Sequence, residues 1–320
     1  MDYLLTEEQR ELQTLTRDIA RNTVAPKAEY YDRHDEFPWE MVEVFAQADL
    51  FRVFVPEEYD GLGMGNFELC IVAEELSRAC AGIALALLGT ALAAEPILIA
   101  GTDEQKKRFL PRVAAGKALA AFALTEADAG SDPSAVRTRA RRDGDHYVLD
   151  GTKQWITNGG EAEIYVVVVS TNPARGARGL TALVVEKGTP GFTFGKKEDK
   201  LGIRASATRE LVFADCKVPA ENLLGKEGTG FITAMRTFDR TRPGVAAQAV
   251  GIAQGALDLA VAYAKERRQF GQPISSFQGL QFMLADMAIK VEAARALTYA
   301  AARTIDAGAR DVSRSSSTVS

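Results

Sequence analysis

Histidine is close to absent from this sequence: His34 and His146, far apart, are the only two in 320 residues. A His-rich metal centre is therefore not expected, nor is a Ser-His-Asp triad. Cysteine is almost as scarce. Cys70, Cys80 and Cys216 form no CxxC, are odd in number and stand beside apolar residues. They predict buried free thiols in a reducing compartment, without a disulfide framework. Neither charge dominates: 38 basic residues face 43 acidic ones for a net charge of −5, so the basic footprint of a nucleic-acid binder is missing. The longest apolar run, residues 80–94, is interrupted by Gly82, Gly89 and Thr90 and stopped by Glu95-Pro96. A membrane span needs about 18–20 residues, so this run predicts a buried helix. The opening MDYLLTEEQRELQ has neither a basic stretch followed by an apolar one nor an Arg/Ser-rich transit pattern. The expectation is a soluble cytoplasmic protein without metal, membrane or nucleic acid.

What is present is 47% hydrophobic and 25% charged, enough for a sizeable core and about two domains. Residues 1–119 read as helical. Thr6-Glu7-Glu8-Gln9 and Thr102-Asp103-Glu104-Gln105 are capping boxes, each opening a helix. Leu12, Leu15, Ile19 and Val24 follow the first at helical spacing. Gly61, Gly63 and Gly65 in PEEYDGLGMGN do not fit GxGxxG and lack a surrounding βαβ unit, so they read as a turn. From 120 to 222 short β-branched or aromatic runs (147–149, 165–169, 180–185, 192–194 and 210–213) alternate with Asp-Gly, Asn-Gly-Gly and Pro-Gly turns. That is the texture of an antiparallel β domain. Residues 223–320 turn Ala-rich and helical again, with Pro243 expected to kink a helix or mark a boundary. Helices, strands, then helices argue for an α+β fold with segregated layers.

Four segments carry candidate chemistry. FALTEADAGSD at 122–132 puts Thr125 and Ser131 beside Gly130, which lets a backbone approach a ligand or simply caps a helix. In QWITNGG at 154–160, Trp155 and Thr157 fall on one face of a strand, a stacking ring beside a donor, or a core Trp before a turn. FDRTR at 238–242 offers guanidinium forks to an anionic ligand, or a solvated charged face. RRQFGQPI at 267–274, followed by Phe277 and Gln278, reads by itself as a helix stop.

Together these segments, with PEEYDGLGM, GTKQWITNGG, LGIRAS, VPAENLLG, FDRTRPGVAAQAVGIAQGALD and FMLADMAIKVEAAR, closely resemble the acyl-CoA dehydrogenase family, its medium- and short-chain branch in particular. The resemblance runs from Tyr3 to about Ala307. It implies an N-terminal helical domain (1–119), a central antiparallel β domain (120–222) and a C-terminal helical bundle (223–320), incomplete here. It implies FAD between the β domain and the C-terminal helices, with Phe122, Leu124, Thr125, Gly130, Ser131, Trp155, Ile156 and Thr157 on the flavin side. By the same resemblance Trp155 packs on the flavin ring and Thr157 faces its reactive nitrogen. Ser131, Phe238, Asp239, Thr241 and Arg242 correspond to contacts to the acyl-CoA substrate. Arg267, Gln269, Phe270 and Gln278 correspond to residues that reach a neighbouring subunit's FAD, which implies a homotetramer. The implied activity is α,β-dehydrogenation of an acyl-CoA to the 2-enoyl-CoA, with electrons passing to an electron-transfer flavoprotein.

That chemistry needs a carboxylate base of raised pKa. The family places it either in a Tyr-Glu-Gly-Thr setting, which does not occur here, or at the position matching Thr241, which is not a carboxylate. The resemblance implies about sixty further residues with a Gly-rich flavin segment, so the catalytic residue is left unassigned. An oxidase of the same scaffold remains open, as does a non-catalytic acyl-CoA or flavin binder should the chain end at Ser320. Residues 80–94 correspond to the end of the acyl channel and contain no charge. Ala84 and Leu88 share a helical face that could floor it, with Leu85 beside them. An apolar tail gains about 0.8 kcal/mol per buried CH₂, whereas a distal carboxylate would lack a cation. Short to medium, straight or lightly branched acyl chains are expected.

Overall fold

The computed structural model describes residues 3–309 and 312–319. The chain divides into two compact units, each made of separate stretches: Met1–Glu29, Gly65–Ala84 and Arg242–Ser320 form one, and Tyr30–Met64 with Leu85–Thr241 form the other.

The first unit is helical. Helix α1 (Glu7–Ile19) opens on the expected capping box, with Thr6 Oγ1 accepting from the Gln9 N–H at 3.2 Å and Gln9 Oε1 accepting from the Thr6 N–H at 3.0 Å. A π-helical turn, Ala20–Val24, leads into α2 (Ala25–His34). Helix α4 (Asn66–Ala100) starts on a cap borrowed from far along the chain: both Asp306 oxygens accept, from the N–H groups of Asn66 and Phe67, each at 2.8 Å. A carboxylate there satisfies orphan donors and complements the positive helix end. Helix α6 (Gly230–Glu266) from Arg242 onward, α7 (Gln278–Asp306) and α8 (Ser313–Val319) complete the set. Gly251 and Gly255 sit one turn apart where α6 crosses α4, and a Cβ at either would collide with the carbonyl of Glu74 or Arg78. Beside this crossing Arg295 pairs with Glu74 at 2.8 Å, Tyr299 donates to Glu74 at 2.9 Å, and Arg17 pairs with Glu75 at 2.6 Å.

Of the two outcomes expected at Pro243, a kink or a boundary, the second is found: helix α6 runs unbroken through it, and the boundary between compact units falls just before it, between Thr241 and Arg242. Proline forfeits a single bond to the carbonyl four residues back, which a helix of 37 residues tolerates here. The break occurs instead in α4, at Cys80, whose φ of −160° and ψ of 108° are extended.

The second unit holds α3 (Trp39–Gln47), α5 (Asp103–Ala114) with its own Thr102/Gln105 capping box, and a sheet. The strands are β1 (Ala120–Ala123), β2 (Arg139–Asp143), β3 (His146–Thr157), β4 (Ile164–Ser170), β5 (Leu180–Glu186), β6 (Phe192–Lys197), β7 (Thr208–Pro219) and β8 (Leu223–Leu224). Their order is β6-β7-β3-β2-β4-β5-β8, with β1 beside β4. Most pairs are antiparallel, as the turn signals imply, but β1 runs parallel to β4 and so does the single β2–β4 bridge. Strand β4 is buried at every position, which explains its unbroken Val run, since a strand covered on both faces has no polar side to show. Its Ile164, Val166 and Val168 join Phe109, Leu110 and Val113 of α5 in one core.

Helices α4 and α6 are long and apolar enough to cross a membrane by length and composition, and the apolar window of α4 is 67% buried.

Candidate active site

The site builds outward from an irregularity in β3. Opposite β7, Lys153 pairs with Leu211 and Ile156 with Arg209, so β3 carries one residue more than its partner over this stretch. The surplus is a β-bulge, which bends a strand and re-aims a side chain. Trp155 occupies it with φ of +57°, in the left-handed region that a bulky residue rarely adopts, and its side chain is 55% exposed. Ile156 is buried and Thr157 half-buried. Next to them Asn158 is fully buried, also at positive φ, and its Nδ2 lies 3.2 Å from Ala86 O, Thr90 Oγ1 and Ala120 O. Gly89 of α4 fits against this corner because a Cβ there would stand 2.9 Å from Thr157 Cγ2.

The structure brings the loop at 122–132 directly onto this bulge. The Gln154 N–H donates to Thr125 O at 2.9 Å. Lys153, fully buried, donates through Nζ to Leu124 O at 2.9 Å and to Glu126 Oε1 at 2.7 Å. Glu126 also accepts from the N–H groups of Arg137 at 2.7 Å and Thr138 at 3.0 Å. Burial pushes Lys153 down to about 8, against the opposing pull of Glu126. Burial also pushes the Glu126 carboxyl upward, but Lys153 and the donated hydrogen bonds outweigh it and hold it below the usual carboxylate range. Beyond the pair, Thr125 is half-buried and Gly130 and Ser131 are exposed, with open space around Gly130. Phe122 meets Phe238 of α6 edge to face at 5.8 Å.

Along the first half of α6, Thr233, Thr237 and Thr241 each donate to the carbonyl four residues back, Thr241 at 2.9 Å. Asp239 is half-buried in the same unit as the bulge, and the adjoining Arg242 is half-buried in the other. Arg240 forms an ion pair with Glu95 of α4. Along α4, Ala84 is fully buried, while Leu85, Leu88 and Leu92 form a partly open stripe. Gly89, on the same helix, is turned toward Thr157.

Arg267, Gln269, Phe270 and Gln278 lie in the helical unit and are all exposed. Gln269 and Phe270 belong to a hairpin of β9 (Arg268–Gln269) and β10 (Gln272–Pro273), which Arg267 precedes and Gln278 follows. Phe270 and Gly271 form its turn with φ of +50° and +81°, leaving Phe270 91% exposed.

Lys153, Glu126 and Asn158 were not singled out by sequence reasoning, although all three lie inside or beside the segments that were. Lone polar residues in β texture give no signal of a pairing 27 positions apart.

Comparison with known proteins agrees along the whole chain. Domain models of one family match in order: acyl-CoA dehydrogenase N-terminal domain over residues 6–117, middle domain over 121–216 and C-terminal domain over 228–319. The chain belongs to the acyl-CoA dehydrogenase family. A relative in Mycobacterium tuberculosis, the probable acyl-CoA dehydrogenase FadE25, is 47% identical over 97% of this chain and 80% of its own length. Butyryl-CoA dehydrogenase from Megasphaera elsdenii superposes with a TM-score of 0.96 at 43% identity, covering 100% of this chain and 84% of that one. A chain in the solved structure of the electron transferring flavoprotein of Acidaminococcus fermentans gives 0.97 at 46% identity, with 100% and 84% covered. The acyl-CoA dehydrogenase fold, FAD dependence and enzyme class follow from this membership. The bulge corner fits such a cofactor: an exposed aromatic ring held in strained backbone stands two residues before the Thr157 hydroxyl, on a strand joined to Thr125 by a main-chain bond.

Proposed function

We propose that this protein oxidises an acyl-CoA thioester to the 2-enoyl-CoA and passes the electrons to an electron-transfer flavoprotein. The observation that carries it is the joining of the 122–131 loop to the Trp155 bulge through Gln154 and Lys153. Bound FAD would supply the acceptor for the hydride leaving the β-carbon. Trp155 would stack on its ring system, Thr157 would donate toward it, and Phe122, Leu124, Thr125, Gly130, Ser131 and Ile156 would line the rest. Ser131, Phe238, Asp239, Thr241 and Arg242 would hold the CoA-linked part of the substrate. The half-open Leu85, Leu88 and Leu92 stripe favours a short or medium apolar acyl chain. Arg240 is already matched to Glu95 and offers no spare charge to a distal carboxylate. Thr241 cannot act as the base. Glu74, Glu75, Glu95 and Glu126 are buried but each is committed to an arginine or lysine, so no base is assigned.

The exposed Phe270 hairpin fits residues that meet FAD in another copy, as in a homotetramer, and the reading includes three domains at 1–119, 120–222 and 223–320 in a cytoplasmic enzyme. The test is anaerobic titration of the FAD-loaded full-length protein with butyryl- and octanoyl-CoA. Loss of the flavin's visible absorption, restored by electron-transfer flavoprotein, is expected. Restoration by oxygen alone would favour an oxidase, and a protein that takes up no FAD would defeat the reading. Trp155→Ala should weaken FAD retention in the same assay.

A further inference from the structure

We propose that the buried Lys153–Glu126 pair is a positioning device that fixes the 122–131 loop and the Trp155 bulge as one preformed face for the flavin. This rests on the assignment of that corner to FAD. Three observations converge on it. Lys153 is fully buried in a strand, and its ammonium bridges two parts of the loop, the Leu124 carbonyl and the Glu126 carboxylate. Glu126 in turn holds the N–H groups of Arg137 and Thr138, where the loop leaves for β2, and closes on Ala129 by paired main-chain bonds at 2.9 and 3.2 Å. The residue two places after Lys153 is the strained Trp155, and the residue between them donates its N–H to Thr125 O.

Stability alone gives this pair no evident reason to exist. Two charges taken from water regain little when paired, and well-packed neutral residues often serve as well or better. What ions supply that neutral residues do not is direction. The ammonium here points at two oxygens of the loop, Leu124 O and Glu126 Oε1, while its stem lies in the bulged strand. Removing that link leaves the aromatic ring and the loop hydroxyls to find their mutual placement only when the cofactor binds, at a cost in affinity. Lys153 and Glu126 touch neither substrate nor flavin in this account; they act through Leu124, Thr125 and Trp155.

The test compares the full-length protein with the double variant Glu126→Gln/Lys153→Met, which removes both charges while changing side-chain length by at most one atom. The flavin-free variant should melt within a few degrees of the parent. Its Gln154 and Thr138 amides should exchange faster with solvent, and FAD should bind about tenfold more weakly or worse. A double variant with parental amide protection and FAD affinity would overturn the proposal, because the pair would then be structural only. Should the double variant melt well below the parent, Glu126→Gln alone decides. That change keeps the Lys153 bond to Leu124 and an acceptor for Arg137 and Thr138. Weaker FAD binding with faster exchange at Gln154 and Thr138 than at amides outside the loop supports the positioning role, whatever the melting temperature, and unchanged binding overturns it. A parent that binds no FAD would defeat the site assignment. The exchange comparison on flavin-free protein would still decide the positioning role.

Discussion

Trp155 and Phe270 are both aromatic residues held at positive φ with their rings turned outward, yet they are supported in opposite ways. Trp155 is braced from beneath by a fully buried lysine, a buried glutamate and a main-chain bond into the neighbouring loop. Phe270 rests on a two-residue turn and an edge contact with Phe277 at 6.1 Å. The contrast separates a face completed within its own chain from one that presents a side chain outward. Internal bracing suits a residue that must meet a rigid ring at a set height. A light hairpin suits a residue whose final neighbours come from elsewhere.

The largest expected effect attacks the braced side. Lys153→Met alone leaves Glu126 buried and unpaired, which should lower unfolding free energy by about 3–5 kcal/mol in denaturant titration. Equal stability would remove the basis of the contrast. A smaller effect follows from Lys153 titrating at about 8 rather than its ordinary 10.5. Between those values the unfolded chain binds more protons than the folded one, so this group's contribution to stability rises with pH. The slope approaches about 1.4 kcal/mol per pH unit at most. Parent stability measured relative to Glu126→Gln/Lys153→Met should climb across that window and be flat in pH below it, down to the carboxylate range.

On the lightly held side, Phe277→Ala should cost about 1 kcal/mol, mostly from the lost ring pair and half-buried area. The smallest effect belongs to Phe270→Gly. Glycine accepts positive φ freely and the lost ring is exposed, so thermal unfolding of the flavin-free protein should shift by less than about 1 kcal/mol. FAD retention should nonetheless become weaker, and more so on dilution, if the ring meets the cofactor of another copy. A drop in stability comparable to that of Lys153→Met would erase the distinction between the two sites.

The parts of this molecule that local rules govern could be read from the sequence. Both capping boxes formed as written, because a hydroxyl and an amide three residues apart need nothing distant. The Val run of β4, the Phe192–Phe194 run of β6 and the Glu210–Phe213 run of β7 became strands, with Phe192 and Phe213 stacked at 4.9 Å. Strands β1, nearly all alanine, and β2, mostly charged, carried no β signal and owe their conformation to their neighbours. The Trp155 and Thr157 positions stood out by residue type. The bulge that turns Trp155 outward did not, since a register shift is a property of two strands.

The cap that Asp306 places on α4 has a consequence for how the protein is made. The helical unit draws on residues 1–29, 65–84 and 242 onward, whereas the sheet unit is finished at Thr241. A ribosome adding roughly 5–20 residues per second has made α1 some ten seconds or more before α6 and α7 exist to receive it. The amphipathic first helix must wait, its apolar stripe uncovered, while the β-sheet closes. Asp306 arrives late and fixes the start of a helix whose first residues emerged 240 positions earlier. Nascent chains stalled before and after this residue should therefore differ in protease resistance at 1–29 and 65–84, with the sheet already protected in both.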